Sequence, residues 1–590
     1  MPNELADVTL RTVDTVDEAD EFLRWLSERR PILSIDTETT GLKWWTPNFL
    51  RLVQFGDART GWTISARRWL GVAEEALTRL RDDHTPVVFH NASFDLHALE
   101  SADLPLPDLR HVHDTKLMHH LWRNDLNHSL KPISERRFGQ AATLGQRLLD
   151  EGKAKNKWDW ATVPEWFVPY SVYAAMDTVL TARLAEELWQ DTPDKQYDRE
   201  MAVQLLMWRA ERRGLRIDPV YTDLLREEWV REAAQLREEL REYGLENPSS
   251  GKQVAFLLEE GGWEPQEWTE TGLPKLDKDV YKELVKATGL TAEVAERVVR
   301  YKRLVKWVGT YLDTFMRDRD ATDHLHASIN TMQARTGRMS ITGPPLQTLP
   351  RGPEIRNAVV PEEGEALWSI DYDAQELRLF AHYSGEAGLI QAIAEGKDMH
   401  AYAASMAYQR PYESIGKDDP ERQVAKNVQY ARLYGAGPER MAKTAGVSEQ
   451  EIVHFLNAYD RAFPDVSRFM DQVEGVGRLR HKQDGRPWVE TWGGRRLGVE
   501  EDKVYSLVNY LIQGSCADLL KVKLLALDAA GLGDRIVLPV HDEVLFSFPE
   551  DEGEEMTAEA CRILSEYEAF DVPLPVTPAG PSPSWGATGH

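Results

Sequence analysis

Between residues 31 and 190 the apolar positions come in short runs (PILSIDTE, RLVQFGD, TPVVFHN), each bounded by polar or turn residues and separated by stretches of helical period. That alternation predicts an α/β domain. From about 197 to 316 the apolar residues recur with a longer helical period, through REMAVQLLMWRAERRG and YTDLLREEWVREAAQLREELREYG. Two long helices in succession predict a projecting arm. NPSSGKQVAFLLEEGG follows, with Ser249 or Ser250 as N-cap of a further helix. Residues 364–384 read as a strand (ALWSIDY) then a helix (AQELRLFAHYSG), and 420–434 as a helix stopped at Gly435. RIVLPV-HDE-VLFSF predicts a β-hairpin with a three-residue turn, its first strand irregular or at an edge because Pro539 has no N–H to donate. No repeat or low-complexity block interrupts the pattern.

At 590 residues the chain has room for about three to five domains. The 42% hydrophobic and 28% charged content excludes a disordered or fibrous chain. Seventy Lys+Arg stand against 97 Asp+Glu, a formal net charge of −27, so any grip on nucleic acid must come from locally concentrated cations. The segment AERVVRYKRLVKWV shows such a concentration: Arg297, Arg300, Lys302, Arg303 and Lys306 against Glu296, with Tyr301 and Trp307 interleaved. A solvated helix face is the plain alternative, and the interleaved rings lean toward nucleic acid. The acids at Glu550, Asp551, Glu552, Glu554 and Glu555 read as solvated surface. Two cysteines, Cys516 and Cys561, build neither a disulfide framework nor a cysteine zinc site. No apolar run reaches membrane-span length and the first residues lack a basic and an apolar signal region, so a cytoplasmic protein is expected, in a host cell if phage-encoded.

Three short motifs carry candidate chemistry in the first domain. Asp36 and Glu38 are two apart on a predicted strand, so both carboxylates face one side and suit a hard cation such as Mg²⁺. HNASFDLHAL supplies Asn91 and Asp95; YSVYAAMDTVL supplies Tyr173 and Asp177, one helical turn apart. Each alone reads equally well as a cap or core residue. The ordered set of four acids and a tyrosine resembles the DEDD-type 3′→5′ exonuclease domain in its tyrosine-containing form, a ribonuclease H-like fold. The resemblance implies that Asp36, Glu38, Asp95 and Asp177 hold two metal ions about 4 Å apart. It also implies that Tyr173 orients the attacking water and that Leu42 and Asn91 meet the frayed 3′ end.

Three more motifs lie in the C-terminal half. Asp371 closes an apolar strand and Glu376 opens the following helix in SIDYDAQELRLFAH. Arg422, Lys426, Tyr430 and Tyr434 recur every four residues; each step turns roughly 40° round a helix, so two cations and two rings share one face, a surface for a triphosphate and a base. Asp542, between His541 and Glu543, sits in the hairpin turn. Together these resemble the polymerase motifs of family A DNA polymerases, the large fragment of bacterial DNA polymerase I and its phage relatives, from about residue 30 onward. TGRMS at 336–340 with PLQTLP, NPSSGKQ at 247–253 and NYLIQGSCADLLK at 509–521 extend the resemblance. It implies an α/β multidomain chain: exonuclease domain 1–192, thumb and connecting helices 193–330, palm 331–385, fingers 386–500 and palm again 501–590. It further implies that Asp371, Asp542 and the Tyr372 carbonyl bind two Mg²⁺, with Mn²⁺ as substitute, and that Arg422, Lys426 and His400 hold the incoming triphosphate. Tyr430 packs on the sugar, Tyr434 near the templating position, and Glu376 excludes a 2′-hydroxyl. His541, beside Glu543, touches the primer terminus, while Arg338, Gln513 and Asn509 read minor-groove acceptors, which check pair geometry rather than sequence. The partners implied are primer–template DNA and dNTPs, with helicase, primase and single-stranded DNA-binding protein nearby, acting on a monomer.

The family's D-Y-S-Q-I-E-L-R reads D-Y-D-A-Q-E-L-R here, so Asp373, Ala374 and Gln375 are departures. Tyr430 stands where many bacterial members have Phe and some phage members Tyr, an association that implies acceptance of dideoxynucleotides. No 5′-nuclease segment precedes the first domain, and 200–330 holds no insertion of the size that binds a thioredoxin clamp. A phage replicative polymerase is the expected context, with a bacterial repair polymerase as the alternative. The tail implies a docked Trp585 and a terminal His near the palm. A nuclease whose second half only grips DNA predicts loss of Asp371, Asp542, Lys426 or Arg422, and a non-enzymatic scaffold predicts erosion of both acid sets; all of these residues are present.

Overall fold

The structure, a computed structural model, describes residues 5–350, 352–566 and 568–589; the terminal His590 lies outside the described residues. Two sheets carry the candidate acids. The first has six strands: β1 (Thr9–Val13), β2 (Leu33–Thr39), β3 (Leu50–Gly56), β4 (Thr60–Ser65), β5 (Val87–Phe89) and β6 (Val112–Asp114), in the order β1-β4-β3-β2-β5-β6. β2, β3 and β4 form an antiparallel meander, and β1, β5 and β6 join by parallel pairing. Three helices shape the site on this sheet: α1 (Ala92–Glu100), α2 (Leu130–Phe138) and α3 (Val168–Leu188). α3 lies close because two strand glycines leave room for it. A Cβ on Gly56 would stand 2.3 Å from the Thr178 hydroxyl, and one on Gly61 would stand 2.2 Å from the Ala175 carbonyl oxygen. The Ser34 hydroxyl donates to the Thr178 carbonyl at 2.6 Å, fixing the helix against β2.

The expected projecting arm is half right. α4 (Asp194–Arg213) does not project. Tyr197, Met201 and Trp208 enter the core of the first sheet, while Val203, Leu206, Met207 and Ala210 enter the core of the C-terminal half. With apolar residues on two faces it joins both cores. Only α5 (Pro219–Glu242) pairs with α6 (Leu290–Trp307) as two long helices side by side. Ser250 is the N-cap of the helix Gly251–Glu260, as the sequence offers.

The second sheet is antiparallel: β7 (Glu365–Tyr372), β8 (Ile536–Val540), β9 (Glu543–Pro549) and β10 (Val576–Ser582), in the order β8-β9-β7-β10. β8 takes the edge, where Pro539 with no N–H to donate is tolerated, and its register slips between Ile536 and Leu538. The hairpin turn has two residues, not three: Val540 pairs with Glu543, and His541 takes a left-handed backbone (φ +58°) that lets the chain reverse in one residue fewer. Around this sheet stand α7 (Gln375–Ser384), α8 (Pro420–Leu433) and α9 (Leu507–Ala529). Trp585 is fully buried against the sheet, as expected.

Candidate active sites

On the first sheet, Asp36, Glu38 and Asp177 converge: one ligand oxygen from each lies within 4.8 Å of the others. β2 supplies the first two by its two-residue alternation and α3 supplies the third. Removal from water pushes Asp36 up to about 7 and Glu38 well above the usual carboxylate range, the Asp36 charge adding to the effect on Glu38. Three acids whose oxygens converge form a donor set that fits a hard divalent cation. Asp95 stands beside the group rather than in it. Its Oδ1 accepts from the Thr37 hydroxyl at 2.7 Å, and it still feels the Asp36 charge. Tyr173, one turn before Asp177, is partly buried, and removal from water with the Glu38 and Asp36 charges keeps its proton far above the ordinary phenol range.

Lys131, on α2, is a residue the sequence reading missed. Its ammonium bonds Asp177 and lies 4.2 Å from the centre of the Tyr173 ring. Removal from water pulls it down to about 7 against the attraction of Asp36 and Glu38. Nothing in LKPISERRF marks this lysine from its neighbours on a helix end. Also unforeseen is a cavity of about 500 Å³ between the first sheet and residues 326–333. Leu42 and Asn91, both expected at a 3′ end, line it together with Trp44, Trp45, Phe94 and Lys116. The adjacent tryptophans directly after the Asp36 motif were the available signal.

On the second sheet β7 ends with Asp371 opposite Glu543, and the Tyr372 N–H donates to the Asp542 carbonyl at 3.3 Å, drawing the turn over the strand end. Asp371 is pushed up to about 7 by removal from water and then by the Asp542 and Glu543 charges, and its buried Oδ1 has no hydrogen-bond partner. An orphaned carboxylate oxygen beside a second raised carboxyl, Asp542, fits a divalent cation. Glu543 is held elsewhere: its Oε1 accepts from Ser369 at 2.6 Å and from the Trp585 indole at 3.0 Å. Of the departures, Asp373 accepts from the Thr577 hydroxyl at 2.8 Å on the exposed side, Ala374 takes a left-handed backbone (φ +52°), and Gln375 is buried.

α8 carries Arg422, Lys426 and Tyr430, and Tyr434 is its C-cap. Arg422 binds the Asp398 carboxylate at 2.6 Å, His400 bonds Gln429 at 2.7 Å, and Tyr430 lies 5.8 Å from the His400 ring. Tyr430 is raised to about 12 by burial and then by the Glu376 and Asp542 charges. Tyr434 donates to Glu376 at 3.2 Å, Gln513 donates to Tyr434 at 3.2 Å, and Arg338 bonds the same Glu376. Asn509 is buried with its Nδ2 unpartnered, and His541 is exposed at the turn. The basic stretch on α6 is largely spent. Arg300 grips Glu232 with two bonds (2.6 and 2.7 Å), Arg297 pairs with Glu239 at 3.1 Å, and Trp307 packs on Trp229. The lean toward nucleic acid is therefore corrected for these three; Arg303 and Lys306 remain exposed.

Comparison with known proteins adds a family to the geometry. Residues 221–587 match the family model for DNA polymerase family A, and residues 10–193 match one for a 3′-5′ exonuclease. The DNA polymerase of Mycobacterium phage D29 is 32% identical over 98% of this chain and 97% of its own length, and that of Mycobacterium phage L5 is 31% identical over the same shares. DNA polymerase I of Pseudomonas aeruginosa is 26% identical, covering 97% of this chain and 65% of that one. In fold, the chain superposes on the POL domain of Pol1 from M. smegmatis, solved with DNA primer-template and dNTP, with a TM-score of 0.77 at 24% identity over 98% of this chain and all of that one.

Proposed function

Because this chain belongs to DNA polymerase family A and carries a 3′-5′ exonuclease domain, we propose that it copies a template onto a primer 3′ end with the second acid set and trims that end with the first, each by a two-metal mechanism. The single observation that carries the reading is the orphaned Asp371 oxygen beside the raised Asp542 carboxyl. Asp371, Asp542 and the Tyr372 carbonyl would hold metal at one site, and Asp36, Glu38 and Asp177, with Asp95 outside them, at the other. Bound there, Mg²⁺, or Mn²⁺ as substitute, would supply activation of the attacking oxygen and offset the charge of the leaving one.

The chain's own residues do the rest. Arg422 exchanges Asp398 for the triphosphate of a dNTP, Lys426 grips it and protonates the departing pyrophosphate, and His400, oriented by Gln429, adds a phosphate contact. Tyr430 packs on the sugar, Tyr434 stacks at the templating position, and Glu376 fills the place of a 2′-hydroxyl. Arg338 and Gln513 leave Glu376 and Tyr434 to meet the minor groove, where the Asn509 donor is already free. His541 meets the primer end, and Glu543 fixes the hairpin through Ser369 and Trp585. In the first domain Tyr173 orients water, and Leu42 and Asn91 guide the frayed end along the cavity they line. The domain division supported by α4 as connector is 1–192, 193–330, 331–385, 386–500 and 501–590. The phage relatives support a role in bacteriophage replication in a host cytoplasm, and no helix of the described residues is long and apolar enough to cross a membrane.

The test is one gel: a 5′-labelled primer–template with enzyme and Mg²⁺, with and without dNTPs. Extension with dNTPs and shortening without them is the expected result. Shortening in both lanes overturns the polymerase assignment, and extension with no shortening overturns the exonuclease one.

A further inference from the structure

A phosphodiester carries negative charge into a site already lined by carboxylates, and the structure holds one cation inside that acid set. Lys131 reaches from α2 into the acid group with its side chain 19% exposed; its ammonium bonds Asp177, itself 6% exposed, and lies 4.2 Å from the Tyr173 ring centre. Lys153, the other lysine that acts on Glu38, is turned outward, 3.3 Å from the centre of the Trp160 ring. We infer that Lys131 is a further catalytic residue of the exonuclease site, its ammonium donating to a non-bridging oxygen of the scissile phosphodiester. The inference rests on reading the first acid set as that site. An ammonium on a short helix, boxed in by Asp177 and the Tyr173 ring, is ordered before substrate arrives. It therefore adds its charge without reorganising at the moment of reaction.

The experiment uses the full chain and its variants Lys131→Ala, Lys131→Arg and Asp177→Ala. The probe is a 5′-fluorescein single-stranded oligonucleotide whose last linkage is either an ordinary diester or an uncharged methylphosphonate, bound in Ca²⁺ and read by anisotropy. Wild type is expected to prefer the diester by about tenfold, the worth of one charge-assisted hydrogen bond. Lys131→Ala is expected to lose that preference, and Lys131→Arg to keep most of it. In Mg²⁺, single-turnover cleavage by Lys131→Ala should fall roughly 100-fold, while its affinity for Mn²⁺ is kept or increased. Extension of a matched primer reports folding. An unchanged diester preference in Lys131→Ala overturns the inference. So does loss of Mn²⁺ binding as large as that of Asp177→Ala, which would make the lysine a scaffold for the metal ligands. Wild-type cleavage by Asp177→Ala would instead overturn the reading of the acid set itself.

Discussion

At the scale of single residues, the second site turns on groups poised between partners. Tyr430 feels the Glu376 and Asp542 charges, and its hydroxyl keeps its proton as a donor at every working pH. It can take the place of a missing 3′-hydroxyl on a dideoxynucleotide. Tyr430→Phe removes one charge-assisted hydrogen bond worth about 2 kcal/mol, so the dideoxynucleotide-to-dNTP ratio needed for chain termination should rise roughly 30-fold on a sequencing gel. Asp371 gives a prediction in pH. Its carboxyl titrates near 7 in the fold and near the ordinary value in the unfolded chain. The folded state thus binds the extra proton between those values, and the stability this group supports is complete at low pH and lost as pH rises toward 7. In EDTA, Asp371→Asn should melt above wild type at about pH 8, and the gap should close toward pH 4. A gap independent of pH in thermal melts would rule out burial of the charge as its cause.

At the scale of elements, period and spacing made most of the fold legible. The acid pair of β2, the helix bearing Tyr173 and Asp177, the four-residue recurrence on α8 and the edge placement forced by Pro539 all follow from local geometry. What was not legible depends on partners distant in the chain. The basic stretch of α6 looked free because the acids that consume it, Glu232 and Glu239, lie on α5. α4 looked like an arm because a single helical period does not show that two opposite faces are both apolar. Asp95 sits apart from the other three acids because Thr37 holds it, a bond between β2 and α1 with no trace in spacing. Counting the paired arginines gives a prediction for DNA binding. Arg303→Ala with Lys306→Ala should lower the slope of log affinity against log salt by about 2. Arg300→Ala should leave that slope unchanged, since its guanidinium is already bound to Glu232. Anisotropy titrations across a salt series separate the two cases.

At the scale of the whole molecule, a buried ionic group fastens the two halves. Glu200, on α4, bonds Arg495 and, at 2.7 Å, Lys521; Asp518 accepts from Arg495 at 2.7 Å and from Arg199 at 2.8 Å, and Glu200, Arg495, Asp518 and Lys521 are nearly or fully enclosed. Replacing Glu200 leaves the buried Lys521 without its bonded acid and Arg495 with Asp518 alone, so Glu200→Gln should cost about 3–5 kcal/mol. Because α4 belongs to both cores, calorimetry should also show wild type melting in one transition and the variant in two. The order of the second sheet has a consequence in time rather than in space. β7, which carries Asp371, is flanked by β9 and β10, and the chain leaves it at Tyr372 and reaches β10 only at Val576. At ribosomal rates of about 5–20 residues per second, those roughly 200 residues take on the order of 10–40 s to make. For that interval the first sheet, complete by Asp114, is free to fold around its acids. The strand destined for the other site waits for β9 until Glu543 and for β10 until Val576, its hydrogen-bonding edges open meanwhile to whatever nascent or finished chain comes near. During synthesis, then, the trimming half exists before the copying half.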